Sequence, residues 1–182
     1  MTRPAVFLDR DGVLNEAVVD DAGVPHPPAA LADVRLVADA EEACRRLREA
    51  GYLLVVVTNQ PDVARGKATR VVVESINELV REHLGIDDVR VCFHDDADGC
   101  DCRKPEPGLP LAAGRDLAID LAASVLVGDR GTDIEAGRRA GCKTVLLQTP
   151  YSDRNWVDPS FVTNSLSAAA EWILSGAAEE MA

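Results

Sequence analysis

Val6-Phe7-Leu8-Asp9-Arg10-Asp11-Gly12-Val13-Leu14-Asn15, near the start of the chain, passes abruptly from apolar residues to carboxylates. Ala5 to Leu8 suits a short strand buried on both faces, as strands of a parallel sheet are. Two aspartates one residue apart follow, then a glycine. Alternate residues of an extended segment point the same way, so Asp9 and Asp11 face one site at the strand's end. Gly12 lets the chain turn away and leaves both carboxylates at an open edge. Like charges this close repel unless a cation lies between them. Mg²⁺ suits that place, because it takes carboxylate oxygens and keeps waters and substrate phosphates around it. An ordinary aspartate pair in a strand-to-turn junction reads the same way, and this stretch alone does not separate the two.

The pattern repeats along the chain. Leu53 to Val57 is a second apolar run and ends in Thr58-Asn59-Gln60-Pro61; Ser124 to Val127 is another and ends in Gly128-Asp129-Arg130-Gly131-Thr132-Asp133. Val89–Phe93, Lys143–Leu147 and Phe161-Val162 supply further strands. Helices alternate with them. Asp39 is placed to cap one carrying Ala40, Ala43, Leu47 and Ala50, and Gly51 ends it. Thr69 opens another with Val72, Ile76, Leu79, Val80 and His83 on one side. A third runs from Pro107 to Ala123 with Leu111, Leu117, Ala118 and Leu121 inward; shorter ones cover Ile134–Ala140 and Ser167–Leu174. Pro150 to Pro159 reads as irregular and the last residues as a frayed tail. Continuously apolar strands alternating with helices predict an α/β fold, a doubly wound parallel sheet with helices on both faces. Residues 1–182 fit one such domain. Active sites of these sheets gather at the carboxyl ends of the strands, where each polar cluster lies. Glu16 to Asp33, with Pro25, Pro27 and Pro28, reads as a loop over the site mouth, and His26 within it as a solvated side chain.

A net charge of −12 and a pI near 4.6 argue against nucleic acid or an anionic membrane as partner. No apolar run approaches the length of a membrane span, and no secretory signal precedes the first strand. Five cysteines then imply reduced thiols or metal ligands, and a cytoplasmic monomer is the expectation. Cys92-x-His94, five residues, and Cys100-x-Cys102 offer three thiols and an imidazole, a tetrahedral set that favours structural Zn²⁺. Cys44 and Cys142 read as core residues.

Four motifs in order resemble those of the haloacid dehalogenase superfamily of phosphohydrolases: Asp9-x-Asp11-Gly12, Thr58 at a strand end, Lys104 in Cys102-Arg103-Lys104-Pro105, and Gly128-Asp129-x-x-x-Asp133. The resemblance implies a Rossmann-like fold and a Mg²⁺-dependent phosphatase. Asp9 would attack phosphorus and Asp11 would act as acid and base. Thr58 and Lys104 would bind the phosphoryl oxygens. Asp9, Asp129 and the main-chain carbonyl of Asp11 would hold Mg²⁺. Asp133 would either reach the metal through water or hold Lys104. The Cys/His loop running into Arg-Lys-Pro is similar to the branch containing the heptose-bisphosphate and histidinol-phosphate phosphatases, which lack a large cap domain. That likeness implies a small phosphorylated metabolite, a sugar bisphosphate before histidinol phosphate, with Asn59, Gln60, Arg65, Arg103 and Arg130 as substrate contacts. Against the sugar stand the short His94–Cys100 gap and the missing Gly-Tyr element after Asn15. A catalytically silent, zinc-stabilised partner protein is the reading from another class.

Overall fold

Ala5, Val6, Phe7 and Leu8 are all fully buried and form the middle of the molecule's main sheet. The computed structural model describes residues 2–150 and 158–176. Its elements are β1 (Ala5–Leu8), β2 (Val18–Val19), β3 (Pro25–His26), α1 (Ala40–Glu49), β4 (Leu53–Asn59), α2 (Arg70–Leu84), β5 (Asp88–Cys92), α3 (Gly108–Asp116), β6 (Val125–Gly128), α4 (Gly131–Ala140), β7 (Lys143–Leu147), β8 (Phe161–Thr163) and α5 (Leu166–Leu174). Six strands pair in parallel in the order β5-β4-β1-β6-β7-β8. Successive side chains alternate between faces. Val6, Leu8, Leu54 and Val56 pack under α1, α2 and α5; Ala5, Phe7, Val55 and Val57 pack against α3 and α4 on the other side. The chain works outward from β1 through β4 to β5, then returns to the other flank of β1 with β6. That reversal opens a crevice at the carboxyl ends of β1 and β6, where Asp9 and Asp129 emerge. Among the described residues no helix is long and apolar enough to cross a membrane.

Several local expectations are corrected. Asp39 does not cap its own helix: Oδ2 accepts the Ser167 N–H in the first turn of α5 at 2.8 Å, tying together two helices that pack side by side. Ala50, expected inward, is exposed at the helix end. The buried stripe of α2 is Val73, Ile76, Asn77, Val80 and Leu84, so Val72, Leu79 and His83 lie outside it. Val71, Val72 and Val73 offer equivalent hydrophobes, and it is Val73 that is buried while Val71 is left 71% exposed. Helix α3 stops at Asp116, because Ala118 takes a positive φ of 52° and the chain then pairs with the N-terminal segment through Arg3 and Ile119. Leu117 and Ala118 are therefore exposed, whereas Leu109, Pro110 and Ala113 are buried.

The stretch from Glu16 to Asp33 is more ordered than a plain loop. Strands β2 and β3 pair antiparallel, and the Asp20 carboxylate closes the turn by accepting the N–H groups of Ala22 (2.9 Å) and Val24 (2.8 Å). Its other oxygen lies 3.0 Å from His26 Nε2. Phe161 of β8 stacks on Trp172 of α5 with ring centres 5.3 Å apart, closing the far edge of the sheet. The irregular segment expected from Pro150 to Pro159 falls largely on 151–157, and the frayed tail on 177–182, outside the described residues.

Candidate active site and zinc centre

At the crevice, Lys104 is almost wholly buried, and its ammonium is the hub. Nζ donates to Asp9 Oδ1 (2.8 Å) and the Val57 carbonyl (2.8 Å), and lies 2.6 Å from Asp133 Oδ1. Asp133 Oδ2 accepts the Arg130 N–H at 3.1 Å, which fixes the start of α4. Gly128 makes room for this: a Cβ there would overlap the Cβ and carboxyl carbon of Asp133. Oxygens of Asp9, Asp129 and Asp133 all lie within 4.8 Å of one another. Three buried carboxylates thus face one ammonium. Burial raises the Asp9 carboxyl to about 6, with Lys104 pulling it down and Asp133 and Asp11 pushing it up. Burial, then Asp9 and Asp133, raises Asp129 to about 8. Burial works against the charged form of Lys104, but Asp133 and Asp9 outweigh it and hold the ammonium above its ordinary value.

Asp11 is held apart from that cluster. Arg10, Asn15 and Gln60 all donate to its carboxylate, and it lines the same cavity of about 600 Å³ as Asp9, Thr58 and Lys104. Asn59 and Gln60 line the cavity too, yet their amides serve the protein, since buried polar groups take partners. Asn59 grips the main chain of Lys104, accepting its N–H at 3.1 Å and donating to its carbonyl at 3.0 Å. Gln60 Nε2 bridges Asp11 Oδ2 (2.8 Å) and Thr58 Oγ1 (2.9 Å). Arg65 pairs with Asp95 and Asp96, and Arg103 Nε donates to Asp96 Oδ1 at 2.7 Å. Both cations therefore reach the cavity wall already paired with carboxylates. Arg130 and Lys67 also line the cavity.

Sequence reasoning missed Arg10, Asn15 and Asn77. Arg10 sits between two aspartates and is fully buried. The usable signal was Asn77, a polar residue in step with Val73, Val80 and Leu84 on an inward helix face.

The four cysteine-loop residues converge. Their ligand atoms all lie within 4.8 Å of one another, with the three sulfurs 2.9 Å (Cys102–Cys92), 3.4 Å (Cys102–Cys100) and 3.7 Å (Cys92–Cys100) apart. Tetrahedral Zn²⁺ with Zn–S bonds of about 2.3 Å needs edges of about 3.8 Å, so a small outward movement admits the ion. Burial raises the thiol values of Cys92 and Cys102. For Cys100, burial is outweighed by hydrogen bonds from Cys102, Arg103 N–H and Cys92, which bring it to about 7. A bound cation removes that competition for ionisation. The set fits zinc, with no position left open for substrate. Purified protein should carry about one equivalent of zinc; Cys100→Ser should lose it and lower Tm by about 10 °C. Equal Tm and a metal-free wild type would refute the role, as read by elemental analysis and calorimetry.

Known proteins are similar to this chain over nearly its whole length. The chain is 36% identical to a D-glycero-D-manno-heptose-1,7-bisphosphate 7-phosphatase of Thermosynechococcus vestitus, over 95% of this chain and 96% of that one. It is 37% identical to a D-glycero-beta-D-manno-heptose-1,7-bisphosphate 7-phosphatase of Salmonella typhi, over 97% and 92%. The chain belongs to the HAD phosphatase family. A HAD-hydrolase-like family model matches residues 101–169, from the zinc loop into α5. In structure, this HAD phosphatase is similar to D,D-heptose 1,7-bisphosphate phosphatase from B. bronchiseptica complexed with magnesium and phosphate, with a TM-score of 0.80 and 31% identity over 94% of this chain and 98% of that one.

The carboxylates of this HAD phosphatase fit Mg²⁺ by their own chemistry: hard oxygen donors, buried, with negative charge in excess of Lys104. A thermal consequence follows. Asp9 and Asp129 have folded-state values above the ordinary 3.8. Between that value and about pH 8 the metal-free fold holds more protons than the unfolded chain, so these groups make stability fall as pH rises. Divalent metal binds the ionised carboxylates. The Tm gain on adding MgCl₂ should therefore be larger at about pH 8 than at about pH 6. Equal gains in paired melts would place the cation elsewhere.

Proposed function

We propose that this HAD phosphatase removes the 7-phosphate of D-glycero-D-manno-heptose 1,7-bisphosphate through an aspartyl-phosphate on Asp9. The observation that carries the reading is the coincidence of full-length similarity to heptose-bisphosphate phosphatases with an intact Asp9–Lys104–Asp133 network beside Asp129. The Asp9 carboxylate attacks phosphorus as the bond to the sugar oxygen breaks, and Asp11 gives that oxygen its proton. Water then attacks the phosphorus of the aspartyl-phosphate, Asp11 takes the water's proton, and Asp9 and phosphate are freed. Lys104 and the Thr58 hydroxyl donate to the phosphoryl oxygens, where charge is spread in the transition state. Asp9, Asp129 and the Asp11 carbonyl would hold Mg²⁺, with Asp133 keeping Lys104 aligned. Bound there, Mg²⁺ would offset the repulsion between nucleophile and phosphate.

Arg65, Arg103 and Arg130 supply the cations a second phosphate would need, and Asp95 and Asp96 hold the first two at the cavity wall. Residues 1–182 act as one phosphatase domain, monomeric and cytoplasmic; free cysteines, three of them gathered with His94 at one metal site, support the reducing location.

The test is a panel of both anomers of heptose 1,7-bisphosphate, the two monophosphates and histidinol phosphate, each with Mg²⁺. A heptose bisphosphate should give the highest kcat/KM. Histidinol phosphate in first place would overturn the substrate assignment, and no release from any member would overturn the enzyme reading.

A further inference from the structure

A fully buried guanidinium stands behind the site, and phosphoryl transfer as described above gives it no task. Arg10 Nη2 donates to Asp11 Oδ2 at 2.8 Å and to Oδ1 at 3.1 Å, and Nε reaches Oδ1 at 3.2 Å. At its other end Nη1 donates to Asn77 Oδ1 at 2.7 Å. Asn77 is itself buried on the inner face of α2. Taking a guanidinium out of water is costly, and apolar side chains of similar volume generally serve stability as well or better. The geometry therefore asks for a reason other than packing.

We propose that Arg10 and Asn77 are positioning residues for proton transfer: Asn77 fixes Arg10, and the Arg10 fork fixes the Asp11 carboxylate where it meets the leaving oxygen. This rests on the acid–base role assigned to Asp11. Asp11 lies beyond the end of β1, in a turn where the Gly12 N–H donates to the Asn15 carbonyl at 2.7 Å. The carboxylates of Asp9, Asp129 and Asp133 lie close by, and the fork keeps the Asp11 carboxylate on a separate set of donors. A planar fork of donors sets both the place and the plane of a carboxylate, which a lysine's single ammonium does not. Asn15 Nδ2, at 3.0 Å from Oδ1, and Gln60 Nε2, at 2.8 Å from Oδ2, complete the hold. The anchor of the arrangement is a helix of 15 residues, so the orientation of Asp11 is set from outside the cavity.

The test compares an alkyl ester, heptose 1,7-bisphosphate, with 4-nitrophenyl phosphate, whose leaving oxygen needs no proton. The quantity is kcat/KM, which reports the step that breaks the leaving-group bond. Arg10→Lys should lower it by about 10²-fold on the alkyl ester, since a misplacement of about 1 Å carries that cost. Asn77→Ala should lower it by about 10-fold, and both should lose less than about 3-fold on the aryl ester. Asp11→Asn is the control and should show the same asymmetry. If Asp11→Asn loses equally on both esters, the acid–base role itself falls. If Asp11→Asn is asymmetric while Arg10→Lys and Asn77→Ala lose equally on both, or lose nothing, the positioning inference is overturned. Circular dichroism and zinc content report folding; should Arg10→Lys fail to fold, Asn77→Ala, outside the cavity, decides alone.

Discussion

Asp9→Asn should lower phosphate release by about 10⁴-fold or more, the scale of losing a covalent nucleophile, while the protein stays folded. An amide has the shape of the carboxylate and keeps an oxygen for Lys104 Nζ, which lies 2.8 Å from Oδ1 in the native protein. It does not have the lone-pair strength to attack phosphorus. The change also removes a buried negative charge that pushes the proton affinity of Asp129 upward. Without Mg²⁺, the variant's Tm should therefore equal or exceed that of wild type at about pH 8, and its gain on adding MgCl₂ should shrink. Initial rates on heptose 1,7-bisphosphate and 4-nitrophenyl phosphate, with melts at two pH values, read both effects. Activity within about tenfold of wild type would exclude Asp9 as nucleophile.

Asp9 was legible because its strand is buried on both faces. β1 has no polar residue until it ends, so the first carboxylate marks the end; β1 and β7 stand at the bounds read from sequence, Ala5–Leu8 and Lys143–Leu147. The cysteine loop was legible for a similar reason, as three thiols and an imidazole so close together have few other uses. What sequence hid were interactions between distant residues. Asp39 has the composition of a local cap and instead serves the N-terminus of α5. Three consecutive valines leave the inward face of α2 open until Asn77 meets Arg10. Strands β2 and β3 have two residues each, too few to carry a period. Asn59 and Gln60 stand at a strand end, where substrate contact is a fair expectation. Their amides turn out to brace Lys104, Thr58 and Asp11, because each buried polar atom takes the nearest partner.

Lys104→Met should be the most damaging change for fold and function together. Nζ is the ammonium that meets both Asp9 and Asp133, and only 4% of Lys104 is exposed. Removing one partner of a buried ion pair leaves the other charge uncompensated, at about 3–5 kcal/mol. For a chain of this size that lowers Tm by roughly 6–20 °C at neutral pH. The sign of its pH dependence is fixed. Loss of the ammonium raises the carboxyl value of Asp9, which Lys104 pulls down, so the variant's deficit grows as pH rises and shrinks as that carboxyl takes up its proton. Added Mg²⁺ should recover part of the stability by returning positive charge to the cluster. It should not recover turnover, which falls by about 10²–10³-fold for want of the donor to the phosphoryl group. Lys104→Arg separates charge from shape. It keeps the charge, but a planar fork cannot reproduce the three-way contact of Nζ with Asp9, Asp133 and the Val57 carbonyl. Gly128 leaves no slack there, since Asp133 already fills the space beside it. Arginine should thus restore much of the Tm and little of the rate. A Met variant that melts with wild type at every pH would dissolve the network, and an Arg variant at full rate would reduce Lys104 to a bare charge.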